Sequence, residues 1–276
     1  MKLLTLNVHG WHEENQLDKI EQLADFINRE QFDVIAMQEV NQTAAAQPLD
    51  ANALGNYVAA DAEAVIRADN YAYVLLARLQ YAYHWTWIPV HSAARGRFDE
   101  GLAMLSRTPL QETVCGHVST QRIYEHYKTR KVLAVRTEQQ GQSVWLANGH
   151  FGWWNDEVEP FRPQWDRAEQ LLAPYQQETI LFLGDFNNVA ELRDEGYDYM
   201  MKHIWHDTYT LAVDKDAGHT VIKSIAGWEG NERPLRIDYI YSNRPLVVQR
   251  SHVALNGGNG AVVSDHFGVM VELKLG

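Results

Sequence analysis

The stretch MKLLTLNVHGWHEENQLDKIEQLADFINREQFDVIAMQEV, residues 1–40, changes its hydrophobic period twice, and those changes decide the fold. Met1 to Leu6 is a short apolar run of strand character. A polar loop, HGWHEENQ, follows it. In KIEQLADFINREQ the residues Ile20, Leu23, Ala24 and Ile27 recur at helical spacing, which predicts an amphipathic helix. FDVIAMQEV then returns to a continuous apolar run, the pattern of a buried strand. Strand, helix and strand in succession predict a right-handed crossover between neighbouring strands of an α/β-type layer.

Further along, apolar runs keep recurring. YHWTWIPV (83–90), GLAMLSR (101–107), KVLAVRTE (131–138), SVWLANGHF (143–151), TILFLGDFN (179–187), RIDYIYSN (236–243) and GVMVELKL (268–275) all predict strands. YAYVLLARLQYA (71–82) and WDRAEQLLAPY (165–175) predict helices, the second with Pro174 near its end. In VVSDHFGV (262–269), valines on both sides predict a strand that continues across Ser264, Asp265 and His266. Residues 42–68 are alanine-rich and show no period. Strands outnumber helices and no Gly/Pro/Ser linker divides the chain. The expectation is one domain over residues 1–276: two packed sheets with helices outside.

With 46% hydrophobic and 22% charged residues among 276, the chain can build a sizeable core. Its lone cysteine, Cys115, forms no internal disulfide and reads as packing material. The formal net charge is −12, without any basic run. Nucleic-acid affinity comes largely from Lys and Arg on phosphates, so a long polyanion is disfavoured as a partner. A small substrate, or a site whose positive charge is a bound cation, suits the balance better. No apolar run approaches the roughly 20 residues of a membrane helix, and Asn7 and His9 interrupt the opening run. These features predict a cytoplasmic protein with no membrane partner; oligomeric state has no readable signature.

Polar residues close the apolar runs. Asn7 follows LLTL, Glu39 follows VIAMQ and His150 follows WLANG; Asp185 and Asn187 follow ILFLG; Asp238 sits in RIDYIY; Asp265 and His266 follow VVS. Singly, each has an ordinary explanation: a cap, a turn, a surface ion pair of Asp238 with Arg236, a hydrogen-bonded histidine. No structural need places this whole set at six strand ends. Hard cations such as Mg²⁺ take oxygen ligands, and Asn7, Glu39 and Asp265 offer them. Asp185 suits orienting or deprotonating a water, with Asn187 fixing its position, while His150 and His266 suit donation to phosphate oxygens. Asp238 is placed to hold His266 in one tautomer. Together these are the requirements of metal-assisted phosphoester hydrolysis. Neither HExxH nor paired CxxC is present, which speaks against zinc.

TLNV with Asn7, MQEV with Glu39, GLAMLSR after Glu100, GHF with His150, GDFN with Asp185 and Asn187, RIDYIY with Asp238, and SDH at 264–266 occur in one order across the chain. In this the sequence resembles the endonuclease/exonuclease/phosphatase superfamily, the deoxyribonuclease I-like fold. The resemblance implies an α+β, four-layered αββα sandwich with two packed mixed sheets. It implies Mg²⁺ (or Mn²⁺) at Glu39 with Asn7 and Asp265 nearby, Asp185 and Asn187 handling water, and His150 and His266 on the phosphate. The general base is then either Asp185 or a histidine–aspartate pair.

The fold alone does not give the substrate. The loop HFGWWNDEVEPFRPQWDR places Trp153 and Trp154 just after His150, where an indole can stack on a sugar face. Core packing and base stacking are rival uses of the same rings. HGWHEEN and HFGWWNDE also resemble loops of short bacterial sugar-phosphate phosphatases, including maltose 6′-phosphate phosphatases. Among Arg95, Arg97, Lys128, Arg130 and Lys131, Arg130 is the candidate phosphate clamp. The expectation is a phosphomonoesterase acting on a small phosphorylated sugar or metabolite; the alternative is a Mg²⁺-dependent endonuclease or exonuclease acting on DNA or RNA.

Overall fold

Leu3 and Leu4, adjacent in sequence, belong to two different hydrophobic layers, because successive side chains of a strand point to opposite faces. The computed structural model describes residues 1–276. Its first sheet has seven strands: β1 (Lys2–Asn7), β2 (Val34–Thr43), β3 (His84–Ala93), β4 (Phe98–Ser106), β10 (Asp214–Lys215), β12 (Val247–Ala254) and β13 (Gly268–Lys274). They lie in the order β10-β12-β13-β1-β2-β4-β3. The second has six: β5 (Leu110–His117), β6 (Lys131–Gln139), β7 (Gln142–His150), β8 (Thr179–Asp185), β9 (His206–Asp207) and β11 (Asp238–Ser242), in the order β5-β6-β7-β8-β11-β9. Both are mixed: β1 runs parallel to β2, and β7 to β8.

The sheets pack face to face. Leu3, Val34, Ala36 and Met104 from one meet Leu133, Val135, Leu146, Leu181 and Ile240 from the other. On the outer face of the first sheet, Leu4, Leu6, Ile35 and Met37 are covered by Ile20, Leu23, Phe26 and Ile27 of α1 (Gln16–Glu30) and by α2 (Tyr71–Leu76). On the outer face of the second, Ala134, Trp145, Ile180 and Phe182 are covered by Phe161, Trp165 and Leu172 of α3 (Phe161–Leu172) and Met200 of α4 (Gly196–Met201). Central strands covered on both faces carry no polar alternation, which is why they read as unbroken apolar runs. The expected αββα sandwich is the fold. No helix is long and apolar enough to cross a membrane.

Three local expectations change. The helix expected over 71–82 stops at Leu76, and Arg78 and Leu79 follow in turns. β5 and β12 escape the sequence pattern: β5 is a sheet edge with Gln111 and Glu112 exposed, and β12 is interrupted by an irregular register at Val248–Arg250. The run VVSDHFGV is not one strand. β13 begins only at Gly268, so Asp265 and His266 stand just before its first residue rather than at the end of an incoming strand.

Candidate active site

Asn7 closes β1 and lies in register with Gln38 of β2. At the next residue the β2–β4 register shifts, and Glu39 takes a left-handed backbone, φ 52°. Bulges of this kind re-aim side chains and concentrate beside active sites. Gly10 is required alongside: its N–H donates to the Glu39 carbonyl at 3.1 Å, and a Cβ there would come within 2.8 Å of that oxygen. The Asn7 Nδ2 donates to Glu39 Oε1 at 2.8 Å and to Asp185 Oδ2 at 3.2 Å, joining the two sheets. Its Oδ1 accepts the His9 N–H at 3.1 Å, so Asn7 presents nitrogen, not oxygen, to the carboxylates. With this orientation Asn7 acts as a spacer between the two acids.

Three neighbouring strands of the second sheet line up the next groups. His150 of β7 and Asp238 of β11 are each in register with Asp185 of β8. His266 enters from the first sheet's side, its Nδ1 3.0 Å from Asp238 Oδ2 and its Nε2 3.7 Å from Asp185 Oδ2. Burial opposes the His266 charge, but Asp238 and Asp185 override it and push the imidazole up to about 10. Asp185 is pushed up to about 7 by burial and by Asp238. His150 lies 3.5 Å from Asp185 Oδ2; burial, Arg130 and His266 hold it well below the usual imidazole range, hence uncharged. The surface pair considered for Asp238 does not form, because Arg236 is buried against Asp207 at 2.7 Å.

The Ser264 hydroxyl donates to the Asn7 carbonyl at 2.7 Å, pinning the SDH segment to the end of β1. That pin sends the two neighbours apart: His266 to Asp238, and Asp265 to His9, whose Nδ1 lies 3.7 Å from Asp265 Oδ1 and 2.7 Å from Glu13 Oε1. Glu39 is pushed up to about 7 by burial and by the adjacent Glu100 and Asp265. Carboxylates crowded this closely fit a hard divalent cation, whose charge relieves their repulsion. Glu39 and Asp265 supply oxygen donors of the required kind. Two groups have metal-ligand spacing: His9, Glu13 and Asp265, and Asp185, Asp238 and His266; in the second, His266 bonds Asp238 Oδ2 while Asp238 Oδ1 is buried without a hydrogen-bond partner.

His9, Glu39, Glu100, His150, Asp185 and His266 line a cleft of about 900 Å³. Arg130 lines it, buried, with an Nε that meets no hydrogen-bond partner. Trp153 also lines it, its ring so close to Gly227 (φ 81°) that a Cβ there would lie 2.1 Å from an indole carbon. Trp154 turns away and packs on Phe161 and Tyr199, ring centroids 6.4 and 5.7 Å apart. Sequence reasoning missed His9, the His91–Glu100 pair (3.0 Å) and Trp228, whose indole N–H donates to Asn187 Oδ1 at 2.9 Å. His91 and Glu100 face each other across the β3–β4 register, a pairing that no local motif signals. Cys115 sits outside the cleft; burial pushes its thiol up, as befits packing material.

The family model described as "Endonuclease/Exonuclease/phosphatase family" matches residues 4–266. A solved endonuclease/exonuclease/phosphatase family protein from Leptotrichia buccalis is 34% identical with a TM-score of 0.87, all of each chain being covered. A mannosyl-6-phosphatase from Bacteroides thetaiotaomicron shares the fold at 15% identity and TM-score 0.63, again over all of both chains. So does truncated Caenorhabditis elegans TDP2, at 15% identity and TM-score 0.62 over 99% of this chain and 97% of that one. A search of curated proteins returns no significant match. Motif order, sheet topology and the matched span agree: the chain belongs to the endonuclease/exonuclease/phosphatase family.

Proposed function

We propose that this protein is a phosphomonoesterase that releases phosphate from a small phosphorylated sugar or similar metabolite, with Mg²⁺ or Mn²⁺ as cofactor. Family membership already makes it a metal-dependent phosphoesterase. The observation that carries the finer reading is the cleft. Its volume, about 900 Å³, is of the order that small-molecule sites occupy. Its permanent cations are Arg95 and Arg130, while Glu125 and Glu229 stand on its walls. One phosphoryl group and a compact organic part suit that lining; a polyanionic strand would run past the two glutamates. The fold likeness to a mannosyl-6-phosphatase is in keeping with such a substrate.

In this reading Arg130 clamps the phosphoryl group through its free N–H groups, and Trp153 offers a flat face to the sugar. A divalent cation on Glu39 and Asp265, when bound, neutralises phosphate oxygens and the leaving oxygen. Charged His266, aligned by Asp238, and uncharged His150 donate to the oxygens on which charge builds. Asp185 Oδ1 accepts the Asn187 backbone N–H at 2.9 Å and Oδ2 accepts one Asn7 amide hydrogen at 3.2 Å, so the remaining lone pair of Oδ2 takes the proton of the attacking water. Asn7 keeps Glu39 and Asp185 at working separation. We place this activity in one domain acting in the cytoplasm, from the absence of a linker and of paired cysteines.

The test is phosphate release from sugar phosphates, nucleotides and inositol phosphates, run beside plasmid nicking under the same Mg²⁺ conditions. The proposal expects a sugar phosphate to lead by at least tenfold in kcat/KM. Nicking as fast as the best small substrate would replace this reading with the nuclease one.

A further inference from the structure

Trp228 lies in the segment between β10 and β11, far in sequence from the polar groups on the cleft floor. It packs against the cluster of Val189, Val221, Ile225, Leu235 and Ile237, and its backbone N–H donates to the Ile225 carbonyl at 3.0 Å. Its ring is thus held, and its indole N–H donates to the side chain of Asn187 at 2.9 Å. An indole nitrogen donates and never accepts, so the Asn187 atom facing it is the carboxamide oxygen. The opposite end of the amide confirms the assignment, since Nδ2 lies 3.0 Å from the Phe151 carbonyl, which only accepts.

One hydrogen on Nδ2 serves Phe151, and the other faces His150 Nε2 at 3.2 Å. The same Nε2 lies 3.5 Å from Asp185 Oδ2 but makes no hydrogen bond to it, and two N–H groups cannot share the Asn187 contact, so the geometry leaves the lone pair at Nε2 and the proton on Nδ1. We propose that Trp228 is a positioning residue that sets the tautomer of His150 through Asn187. Nδ1–H then faces the cleft on the Glu39 side, 3.9 Å from Glu39 Oε1. That is where a phosphoryl oxygen beside the carboxylates needs a donor, so the catalytic use of this tautomer rests on the proposed phosphatase reading. The tautomer itself does not.

The test is ¹⁵N NMR of the histidine rings in the full-length protein, which distinguishes a protonated from an unprotonated ring nitrogen directly, with phosphate release measured alongside. Wild type is expected to show His150 as the Nδ1–H form alone. Trp228→Phe keeps an aromatic ring and removes the donor; it is expected to give a mixture of tautomers and roughly tenfold lower kcat, with KM changed less than twofold. Asn187→Asp keeps the side-chain shape and leaves only acceptors, so it is expected to shift His150 to the Nε2–H form, even if the tryptophan variant fails to fold. A wild-type ring protonated at Nε2, or a tautomer that neither variant moves, would overturn the inference. If the tautomer responds as expected while no phosphoester is hydrolysed, it is the functional reading that fails, not this one.

Discussion

The two halves of the cleft floor, one built on each sheet, hold their charge in opposite ways. On the seven-stranded sheet, Glu39, Glu100 and Asp265 crowd together, and Asn7 offers Glu39 a neutral amide hydrogen. His91 pairs with Glu100 at 3.0 Å and His9 faces Glu13 and Asp265, which leaves buried Glu39 with the Asn7 amide as its hydrogen-bond donor. On the six-stranded sheet, Asp185 and Asp238 share His266, an uncharged His150 faces Asn187, and the Asn187 amide is bonded at both ends. That half is paired internally once His266 reaches it from the other sheet, with only Asp238 Oδ1 left buried without a partner. The difference suggests a division of labour: one half gains by binding a cation, while the other is preorganised to donate and accept protons. Asn7 and the Ser264 pin are what keep the halves in contact.

The largest effects are expected where the proton-handling half is broken. His266→Ala and Asp185→Ala should each lower kcat by about 10³-fold or more in a phosphate-release assay, because proton transfer and oxyanion donation are lost together. Thermal melts should show both variants folded. Ordinary turnover in either would remove that half from the chemistry. Breaking the acidic half needs no mutation. EDTA should cut wild-type release by about 10²-fold or more, and Mg²⁺ or Mn²⁺ should restore it.

The tryptophan pair sharpens the contrast between cleft and core. Trp153→Ala should raise KM several-fold with little loss of stability. Trp154→Ala should instead lower stability by about 2–3 kcal/mol in chemical denaturation, with kcat and KM of the folded enzyme unchanged. Equal effects on KM would mean that the cleft extends past Trp153.

The smallest effect concerns pH. The Glu39 carboxyl rises from its ordinary 4.5 to about 7 on folding, so the folded state binds that proton more tightly than the unfolded chain does. Metal-free protein is then most stable, with respect to this group, below pH 4.5, and loses stability as pH rises toward 7. Glu39→Gln should flatten that decline, by on the order of 1–2 kcal/mol near pH 8. Saturating Mg²⁺ should do the same for wild type by binding only the folded form. A variant whose pH–stability curve overlays wild type would show that Glu39 carries no such load.

Much of this was legible in the sequence, for a definite reason. Strands covered on both faces, such as LLTL and TILFLG, are almost wholly apolar, with only hydrogen-bonded polar residues such as Thr5, Gln38 and Asn148 buried within them, so the polar residue that closes the run marks where it emerges. Asn7, Glu39, His150 and Asp185 were found that way. What resisted reading depends on geometry between distant segments. Trp153 and Trp154 are chemically identical neighbours that diverge only because the loop turns one to the cleft and one to α3. Trp228 stands in AGWEGN, which reads as a turn, and finds Asn187 only through the fold. The valines before SDH suggested a strand, yet Val262 is exposed and the chain is directed by the Ser264 hydroxyl instead. Asn7 was correctly located, but which end of its amide faces the acids depends on the His9 N–H.

A crystal structure with Mn²⁺ and orthovanadate, the metal located by its anomalous signal, tests the pairing of the two halves most directly. One manganese peak bonded to oxygens of both Glu39 and Asp265 is expected, with the vanadate between it and the imidazoles of His150 and His266. Manganese bound away from that pair of carboxylates, or vanadate touching neither imidazole, would contradict it.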